Sequence, residues 1–325
     1  MGYGSYSHEA HRALTEARAS VPTQGVFAQR ECHPLMNPFG IAARESRDSS
    51  DHPESLAITF ALDVTGSMGE ISQALARREL PSFMQLLADF GVLHPQVLFL
   101  AVGDAVGDRA PLQVGQFEST AELMDQWLTW SWLEGGGGAG EFESYELALY
   151  FSAQHIEMDC YRKRERRGYL FLTGDEKPYP RLSRHTVKEV LGDDLDLDAP
   201  TRAVVEEVQR SFEPFFLIPD LERRRGAERV WRDLLGDRVV CLEHPDDACI
   251  AAAGLVALNE RLLSLDQIAA RIAKVDRSRV GRIARALMPF AASIEQDGAP
   301  LPDVDESVEL PDASGGPSRH RRVSR

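Results

Sequence analysis

Short apolar runs alternate along this chain with stretches whose apolar residues recur at helical spacing. Leu56–Asp63, 96–102 and 168–172 are continuous apolar runs of the length that buried strands have. Segments 70–90 and 144–156 carry their apolar residues at the spacing of an amphipathic helix. Strands that alternate with helices indicate a parallel sheet covered on both faces. We therefore predict an α/β fold, with a Rossmann-like, doubly wound and mostly parallel sheet.

Weaker strand signals extend this predicted sheet. Segment 112–117 is typical of a short strand at an edge. Segments 215–218 and 238–242 predict the last two strands, and a helix at 227–235 separates them. These additions raise the number of strands in the predicted sheet.

Pattern and composition divide the chain into four parts. Helical spacing continues through 250–263, the last helix of the sheet domain, and through 265–290, a helical hairpin. The residues beyond are rich in Asp, Glu, Pro, Gly and Ser, which is typical of disorder. The predicted parts are an N-terminal extension (1–54), the α/β domain (55–263), the hairpin (264–291) and a disordered tail (292–325).

The turn after the first strand carries three oxygen-bearing side chains at alternate positions. These are Asp63, Thr65 and Ser67, and in an extended turn alternate positions face one way. The turn lies at the carboxyl end of a parallel strand, where open α/β sheets bind ligands. One carboxylate and two hydroxyls are hard donors that suit Mg²⁺ or Mn²⁺, or Ca²⁺. The alternative is that Thr65 or Ser67 simply caps the following helix.

Two later loops add polar groups at the same edge of the predicted sheet. The strand at 168–172 is followed by Thr173-Gly174-Asp175, which places a second acid at the end of a buried strand. A glycine run at 135–138 leads to Glu143 and Ser144, directly before a predicted helix. Because the carboxyl ends of parallel strands meet at one edge, we expect Asp175 to lie near the first turn.

The order of these elements resembles the von Willebrand factor type A domain. The resembling elements are the Asp-x-Thr-Gly-Ser turn, the glycine-rich loop and the strand closing in Thr-Gly-Asp, within residues 55–263. In that family the three loops form a metal-ion-dependent adhesion site. The resemblance implies that Asp63, Thr65 and Ser67 are first-loop ligands and that Asp175 is the third-loop acid. The family usually has Thr-Asp-Gly there, so the acid of this chain is displaced by one position.

The second loop departs further from the family pattern. The family usually supplies a threonine about five residues before the small residue of an Ala-Leu pair, and Glu143 holds that position here. Either Glu143 replaces the threonine or Ser144 does so through a shifted turn, and we favour Glu143. In the other interpretation Glu143 is a first-turn acid of the helix, favoured by the helix dipole.

Repulsion between the assigned carboxylates predicts that a cation stabilises the protein. Two carboxylates ~6 Å apart at an effective dielectric of ~20 repel by roughly 3 kcal/mol. If Asp63, Glu143 and Asp175 meet, three such pairs need a cation or protonation. We therefore expect Mg²⁺, Mn²⁺ or Ca²⁺ to stabilise the protein.

Charge and composition narrow the classes of partner and compartment. The formal net charge is -15, which argues against nucleic acid as the main partner, because phosphate binding needs a basic face. No apolar run reaches the ~20 residues of a membrane span, and the N-terminal residues lack the apolar region of a secretory signal. The four cysteines are scattered, without a disulfide or zinc pattern, which predicts the cytoplasm. The sequence leaves the oligomeric state open.

Two classes of function fit a metal site at this edge. The resemblance implies a bacterial protein-binding module in which a partner's acid completes the coordination of the ion. Some bacterial members of the family work with AAA+ ATPases of the MoxR type. The alternative is a metal-dependent hydrolase or phosphotransferase that uses the same acids. We favour a non-enzyme, because Thr65 stands where a haloacid-dehalogenase-type phosphatase needs an Asp, and no nucleophile elbow is present.

Overall fold

A computed structural model of the chain describes residues 4–65, 69–134, 141–222 and 224–296. The strands, in chain order, are β1 (Arg44–Ser46), β2 (Leu56–Asp63), β3 (Pro95–Val102), β4 (Leu112–Val114), β5 (Phe142–Glu143), β6 (Ile156–Met158), β7 (Gly168–Thr173), β8 (Lys177–Pro178), β9 (Arg181–Leu182), β10 (Ala199–Pro200), β11 (Phe212–Ile218) and β12 (Val239–Cys241). The helices are α1 (His8–Ala17), α2 (Thr23–Val26), α3 (Gly69–Ala74), α4 (Leu80–Asp89), α5 (Ala121–Thr129), α6 (Tyr145–Gln154), α7 (Asp159–Arg164), α8 (Arg184–Val190), α9 (Thr201–Val208), α10 (Arg224–Leu235), α11 (Ala248–Asn259), α12 (Leu265–Val275) and α13 (Val280–Gln296). A π-helical turn, Leu75–Glu79, joins α3 to α4.

Six of the strands form one central sheet in the order β12-β11-β7-β2-β3-β4. All neighbours in it pair in parallel except β3 and β4, which pair antiparallel at the edge. Every residue of β2 and of β7 is buried, because helices cover both faces of the sheet. The predicted doubly wound, mostly parallel α/β fold is confirmed. Asp63 pairs with Val102 and Leu62 with Thr173, so these strands end at the same level.

Two hydrophobic layers hold the helices to the sheet. On one face, rings stack from Phe60 through Phe171 to Phe215, and α4 and α11 to α13 cover them. On the other face, α6, α9 and α10 pack over β7 and β11, where Trp231 stacks on Phe216 at 3.9 Å between ring centroids. Helices therefore cover both faces of the central sheet.

The N-terminal extension is bound along the side of the sheet domain. Strand β1 pairs in parallel with β6, and the Arg44 guanidinium donates to the carbonyl oxygen of Val114 at the sheet edge. Asp48 accepts hydrogen bonds from Arg164 at 2.8 and 3.0 Å. The extension therefore covers an edge of the sheet.

The structure corrects several predicted boundaries. Strand β11 begins at Phe212 instead of 215, with Pro214 inside it. Helices α8 and α9, together with the β9–β10 pair, occupy a stretch that the sequence analysis left unassigned. Helix α13 continues to Gln296, so the predicted start of the tail at 292 falls inside a helix. Residues 297–325 lie outside the described residues.

The two helices of the predicted hairpin belong to the main core. Ile268 and Leu287 are buried in the same hydrophobic layer as the sheet, and Arg279 pairs with Glu79 of the π-helical turn at 2.9 Å. None of the described helices is both long and apolar enough to cross a membrane.

Candidate metal centre

Asp63 is the last residue of β2 and is fully buried. Its Oδ1 accepts hydrogen bonds from the backbone N–H of Thr65 at 2.9 Å and from the Thr65 hydroxyl at 2.6 Å. Its Oδ2 accepts from the hydroxyl of Tyr145 at 2.6 Å. A carboxylate offers about four acceptor directions, so three are used and one remains.

Tyr145 reaches Asp63 because Gly174 leaves room for it. Tyr145 is the first residue of α6 and is fully buried, with its ring edge-on to Phe216 and Trp231. A Cβ atom at position 174 would lie 1.9 Å from the Tyr145 hydroxyl oxygen. The displaced third-loop motif therefore has a steric reason, because the phenol occupies the space beside the glycine.

Glu143 approaches the same point from the short strand β5, which pairs in parallel with β8. Its side chain is buried, and Oε2 has no hydrogen-bond partner among the described residues. The Thr65 hydroxyl acts on both carboxylates, since it donates to Asp63 and lowers the pKa of Glu143. The structure thus brings Asp63, Thr65 and Glu143 together, as the sequence analysis expected.

Burial and mutual repulsion raise the pKa values of these acids. Burial is the main cause for Glu143, whose pKa rises to about 9, and the charges of Asp63 and Asp104 add to it. Burial also raises the pKa of Asp63 to about 7, against the hydrogen bonds from Thr65 and Tyr145, and Asp175 adds repulsion. Each group is held in a place that disfavours its negative charge, which a cation would relieve.

Ser144 is engaged elsewhere. Its Oγ accepts from the backbone N–H of Ala105 at 2.9 Å, and its own N–H donates to the carbonyl oxygen of Gly103. These bonds tie the start of α6 to the loop after β3. Of the two alternatives for the second loop, Glu143 faces Asp63 and Ser144 faces the 103–105 turn.

A second group of buried polar side chains borders the centre. Asp104 accepts hydrogen bonds from the Tyr179 hydroxyl at 2.8 Å and from the N–H of Val106 at 3.0 Å. Glu146 is buried, its pKa is raised to about 8 chiefly by burial, and it accepts from the N–H of Tyr179. The sequence analysis did not single out Tyr145, Glu146 or Tyr179, because aromatic and acidic residues in a first helical turn are common.

Asp175 and Ser67 are the other residues that the sequence analysis assigned to the site. Asp175 acts electrostatically on Asp63 and on Tyr145. Ser67 lies outside the described residues, as do the glycines at 135–140. Within the described part of the chain, no three His, Cys, Asp or Glu side chains surround one point as metal ligands would. Asp63, Thr65 and Glu143 nevertheless offer oxygen atoms, which are the type of ligand that hard cations bind.

The aromatic residues near the glycine run are covered by the extension. His33 stacks on Trp130 at 3.9 Å between centroids, and Trp127 meets Trp130 edge-on. Arg44 lies over the ring of Trp127. These contacts are packing contacts within the chain.

Comparison with known proteins gives only distant structural neighbours. No protein-family model matches the chain, and no curated protein matches it. The pilus adhesin SpaC from Lactobacillus rhamnosus GG, in its open conformation, aligns with a TM-score of 0.43 and 10% identity over 67% of this chain and 31% of that one. Proximal thread matrix protein 1 from the mussel byssus aligns with a TM-score of 0.39 and 12% identity, over 66% and 49%.

A third neighbour is described as von Willebrand factor type A from Catenulispora acidiphila. It aligns with a TM-score of 0.39 and 13% identity, over 63% of this chain and 42% of that one. The aligned part is thus less than half of the length of each of these three structures.

Proposed function

We propose that this protein binds a divalent cation, Mg²⁺ or alternatively Mn²⁺ or Ca²⁺, and through it a protein partner. Asp63, Thr65 and Glu143 would hold the ion, and Ser67 and Asp175 would contribute from the adjoining loops. When bound, the ion supplies positive charge at the carboxyl end of the sheet, where it neutralises the acids and attracts an acidic group from the partner. The resemblance to the von Willebrand factor type A domain suggests this mode, including an AAA+ ATPase of the MoxR type as partner.

The observation that carries the proposal is the buried Oε2 of Glu143, which has no hydrogen-bond partner within the described ranges of the chain. A buried carboxylate oxygen without a donor is costly, because burial removes its water and nothing replaces it. Glu143 also lies close enough to Asp63 for the charge of Asp63 to raise its pKa. Natural proteins keep such an arrangement when a proton or a cation completes it. The hard-oxygen donor set favours Mg²⁺ or Ca²⁺ over a soft metal.

Thermal unfolding tests the ion-binding part. The wild type and Asp63→Ala are unfolded in EDTA, Mg²⁺, Mn²⁺ and Ca²⁺ in turn. An ion at about 100 times its dissociation constant stabilises the folded state by about 2.7 kcal/mol, which raises Tm by several degrees. We expect this rise in the wild type and its absence in Asp63→Ala.

Glu260→Gln is the matched control for this experiment. Glu260 accepts a hydrogen bond from the Tyr169 hydroxyl at 2.7 Å, so it forms a tyrosine–carboxylate pair like Tyr145 and Asp63. Tyr169 lies at the opposite end of its strand from Thr173. Glu260→Gln should lower Tm and keep the ion response. A folded wild type that responds to none of the three ions contradicts the proposal.

The partner-binding part has its own test. Acidic peptides or the purified AAA+ partner would be retained by immobilised wild type in Mg²⁺ and released by EDTA. The enzyme alternative is checked with generic phosphoesters in the presence of each ion. Hydrolysis by the wild type that disappears in Asp63→Ala would replace the binding proposal with the hydrolase.

A further inference from the structure

A groove of about 610 Å³ lies beside the candidate metal centre, between β8 and α10. One wall is the ring pair of Phe142 and Tyr179, stacked at 5.3 Å between centroids. Phe142 directly precedes Glu143, and the Tyr179 hydroxyl donates to Asp104. An occupant of the groove therefore lies next to the acidic centre without entering it.

The groove is held in shape by backbone contacts. The Thr201 hydroxyl donates to the carbonyl oxygen of Tyr179, and the Thr201 N–H donates to that of Pro180 at 3.0 Å. The indole N–H of Trp231 donates to the carbonyl oxygen of Glu176, which ties α10 to the chain before β8. Pro178, Pro180 and Pro200 line it. Rigid walls of proline and aromatic rings suit an extended, proline-containing peptide.

The rim of the groove is basic although the chain as a whole is acidic. Lys177, Arg202 and Arg229 contribute to its lining. Lys177 pairs with Glu141, which is exposed. An exposed ion pair is weak, so a carboxylate bound in the groove can displace Glu141 from Lys177. Arg202 donates only to the carbonyl oxygen of Asp233, and no ion pair to Arg229 occurs among the described residues. Three cations around an apolar floor select an occupant with several carboxylates.

The chain itself contains such an occupant. Segment 300–312 reads PLPDVDESVELPD, with five acidic residues, three prolines and no Lys or Arg. It also carries leucines and valines that can contact the apolar wall. Both its charge and its proline content match the groove.

The segment is long enough to reach the groove. Pro289 of α13 and Arg232 of α10 line one pocket, so the two helices are neighbours. The remaining turns of α13 add roughly 10 Å, and α10 is about 18 Å long and about 12 Å wide, which places the groove within roughly 40 Å of Gln296. Extended chain spans up to ~3.4 Å per residue, so residues 297–312 cover up to about 54 Å. Even at the full ~40 Å the end of the segment, Glu309 to Asp312, can reach the groove, and a shorter path admits more of it.

We propose that the groove between the Phe142–Tyr179 pair and α10 is a peptide-binding site whose occupant is segment 300–312 of the same chain. In that position the segment borders the surface that a partner of the acidic centre would approach. The proposal needs no bound metal, so it stands or fails separately from the proposed function.

Zero-length cross-linking with a carbodiimide tests this on the full chain. The reagent couples carboxylates to lysine amines in contact, and the chain has four lysines: Lys163, Lys177, Lys188 and Lys274. We expect segment 300–312 to couple to Lys177 at least ten times more than to any other lysine. Raising the salt from 0.1 M to 1 M shortens the Debye length from about 10 Å to about 3 Å, and the yield should fall several-fold.

Isotope mixing separates contacts within one chain from contacts between chains. In an equal mixture of ¹⁴N and ¹⁵N protein, the expected Lys177 product is free of mixed-isotope species. The double variant Arg202→Glu/Arg229→Glu should reduce this product at least five-fold. Arg210→Glu, an exposed arginine on the same side of the fold, is the matched control and should leave it unchanged.

Local cross-links report folding in every variant. Lys177 also contacts Glu141 at 2.5 Å, and Lys188 contacts Asp194 at 2.8 Å, so both products persist in a folded chain. Equal coupling of the segment to all four lysines overturns the proposal. A Lys177 product made mainly of mixed isotopes also overturns it, because the groove would then bind a second copy of the chain. A Lys177 product that the double charge reversal leaves intact overturns it as well.

Discussion

The phenol of Tyr145 donates a 2.6 Å hydrogen bond to the buried carboxylate of Asp63, across 82 positions of sequence. The same hydroxyl fills the space next to Gly174. One aromatic side chain thus links the end of β2 to the loop after β7 and to the start of α6. This link fixes the orientation of Asp63 whether or not an ion is present.

Gly174→Ala should destabilise the protein strongly. The new Cβ would lie 1.9 Å from the Tyr145 oxygen and 2.6 Å from its ring, so either the loop or the buried ring must move. Overpacking of this kind costs about 1–3 kcal/mol or more in the free energy of unfolding. Urea unfolding measures this cost.

Gly281→Ala is the control for that substitution. Gly281 lies in α13, is exposed, and has only the flexible end of Arg285 nearby. Alanine there should stabilise the helix by about 0.5–1 kcal/mol. Equal effects of the two substitutions would contradict the packing described for Tyr145.

In EDTA, the stability of the wild type should fall as the pH rises from 7 to 9. Burial raises the folded-state pKa of Glu143 to about 9 and of Glu146 to about 8, whereas unfolded glutamates titrate near 4.3. In this window the folded state holds protons that the unfolded state has lost, so each proton costs about 1.4 kcal/mol per pH unit.

Saturating Mg²⁺ should flatten that slope, because the ion takes the place of the protons. The measurement is the free energy of unfolding by urea at pH 7, 8 and 9, with EDTA and with Mg²⁺. Identical slopes under the two conditions would show that the ion does not reach these carboxylates.

Glu143→Gln should make the metal-free protein more stable and less responsive to ions. A neutral amide removes the cost of protonating a buried acid, which at pH 8 is on the order of 2 kcal/mol or more. It also removes a donor from the proposed ion set. A higher Tm in EDTA, together with a smaller rise in Mg²⁺, is expected by thermal unfolding. A lower Tm in EDTA would contradict the electrostatic account of Glu143.

Asp48→Ala should release the N-terminal extension from the domain. Asp48 accepts from Arg164 and Lys163 and from the N–H and hydroxyl of Ser55. Hydrogen bonds from Arg164 hold its pKa well below the usual range, so its contribution is present above about pH 4 and is lost as the pH falls through the folded-state pKa. Loss of this partly buried network should cost about 2–3 kcal/mol.

Limited proteolysis at pH 7 is the measurement for Asp48→Ala, with cleavage within residues 1–54 expected to rise at least ten-fold. Glu54→Ala, an exposed acid six positions further on, serves as the control. If both variants are as resistant as the wild type, the network does not anchor the extension.

The central strands could be predicted because buried strands appear in the sequence as short apolar runs. Strand β2 has the same bounds as the predicted run Leu56–Asp63, since a parallel strand buried on both faces is built mostly of apolar residues. Strand β11 was shortened in the prediction by Pro214, which breaks the apolar pattern but lies within the pairing to β7. Helices α8 and α9 are short and partly polar, and their burial comes from tertiary contacts.

The sequence could predict which residues lie at the candidate site, but it could not predict the hydrogen bonds between their side chains. The strand-end rule predicted the position of Asp63, and the family resemblance predicted that Glu143 would meet it. The choice between Glu143 and Ser144 depended on a hydrogen bond to Ala105, in a different loop. The hydrogen bond from Tyr145 to Asp63 depends on the absence of a side chain at Gly174. The sequence around either residue does not indicate that the two lie together.

The contact of Glu79 with Arg279 joins residues 200 positions apart, and Phe290 caps Phe215 edge-on at 5.0 Å. A ribosome adds about 5–20 residues per second, so Arg279 is synthesised on the order of 10–40 s after Glu79. During that interval α4 covers Phe60, but Phe215 lacks its contact with Phe290. The docking of α13 therefore completes this face of the sheet, and nascent chains should be most dependent on chaperones just before α13 emerges.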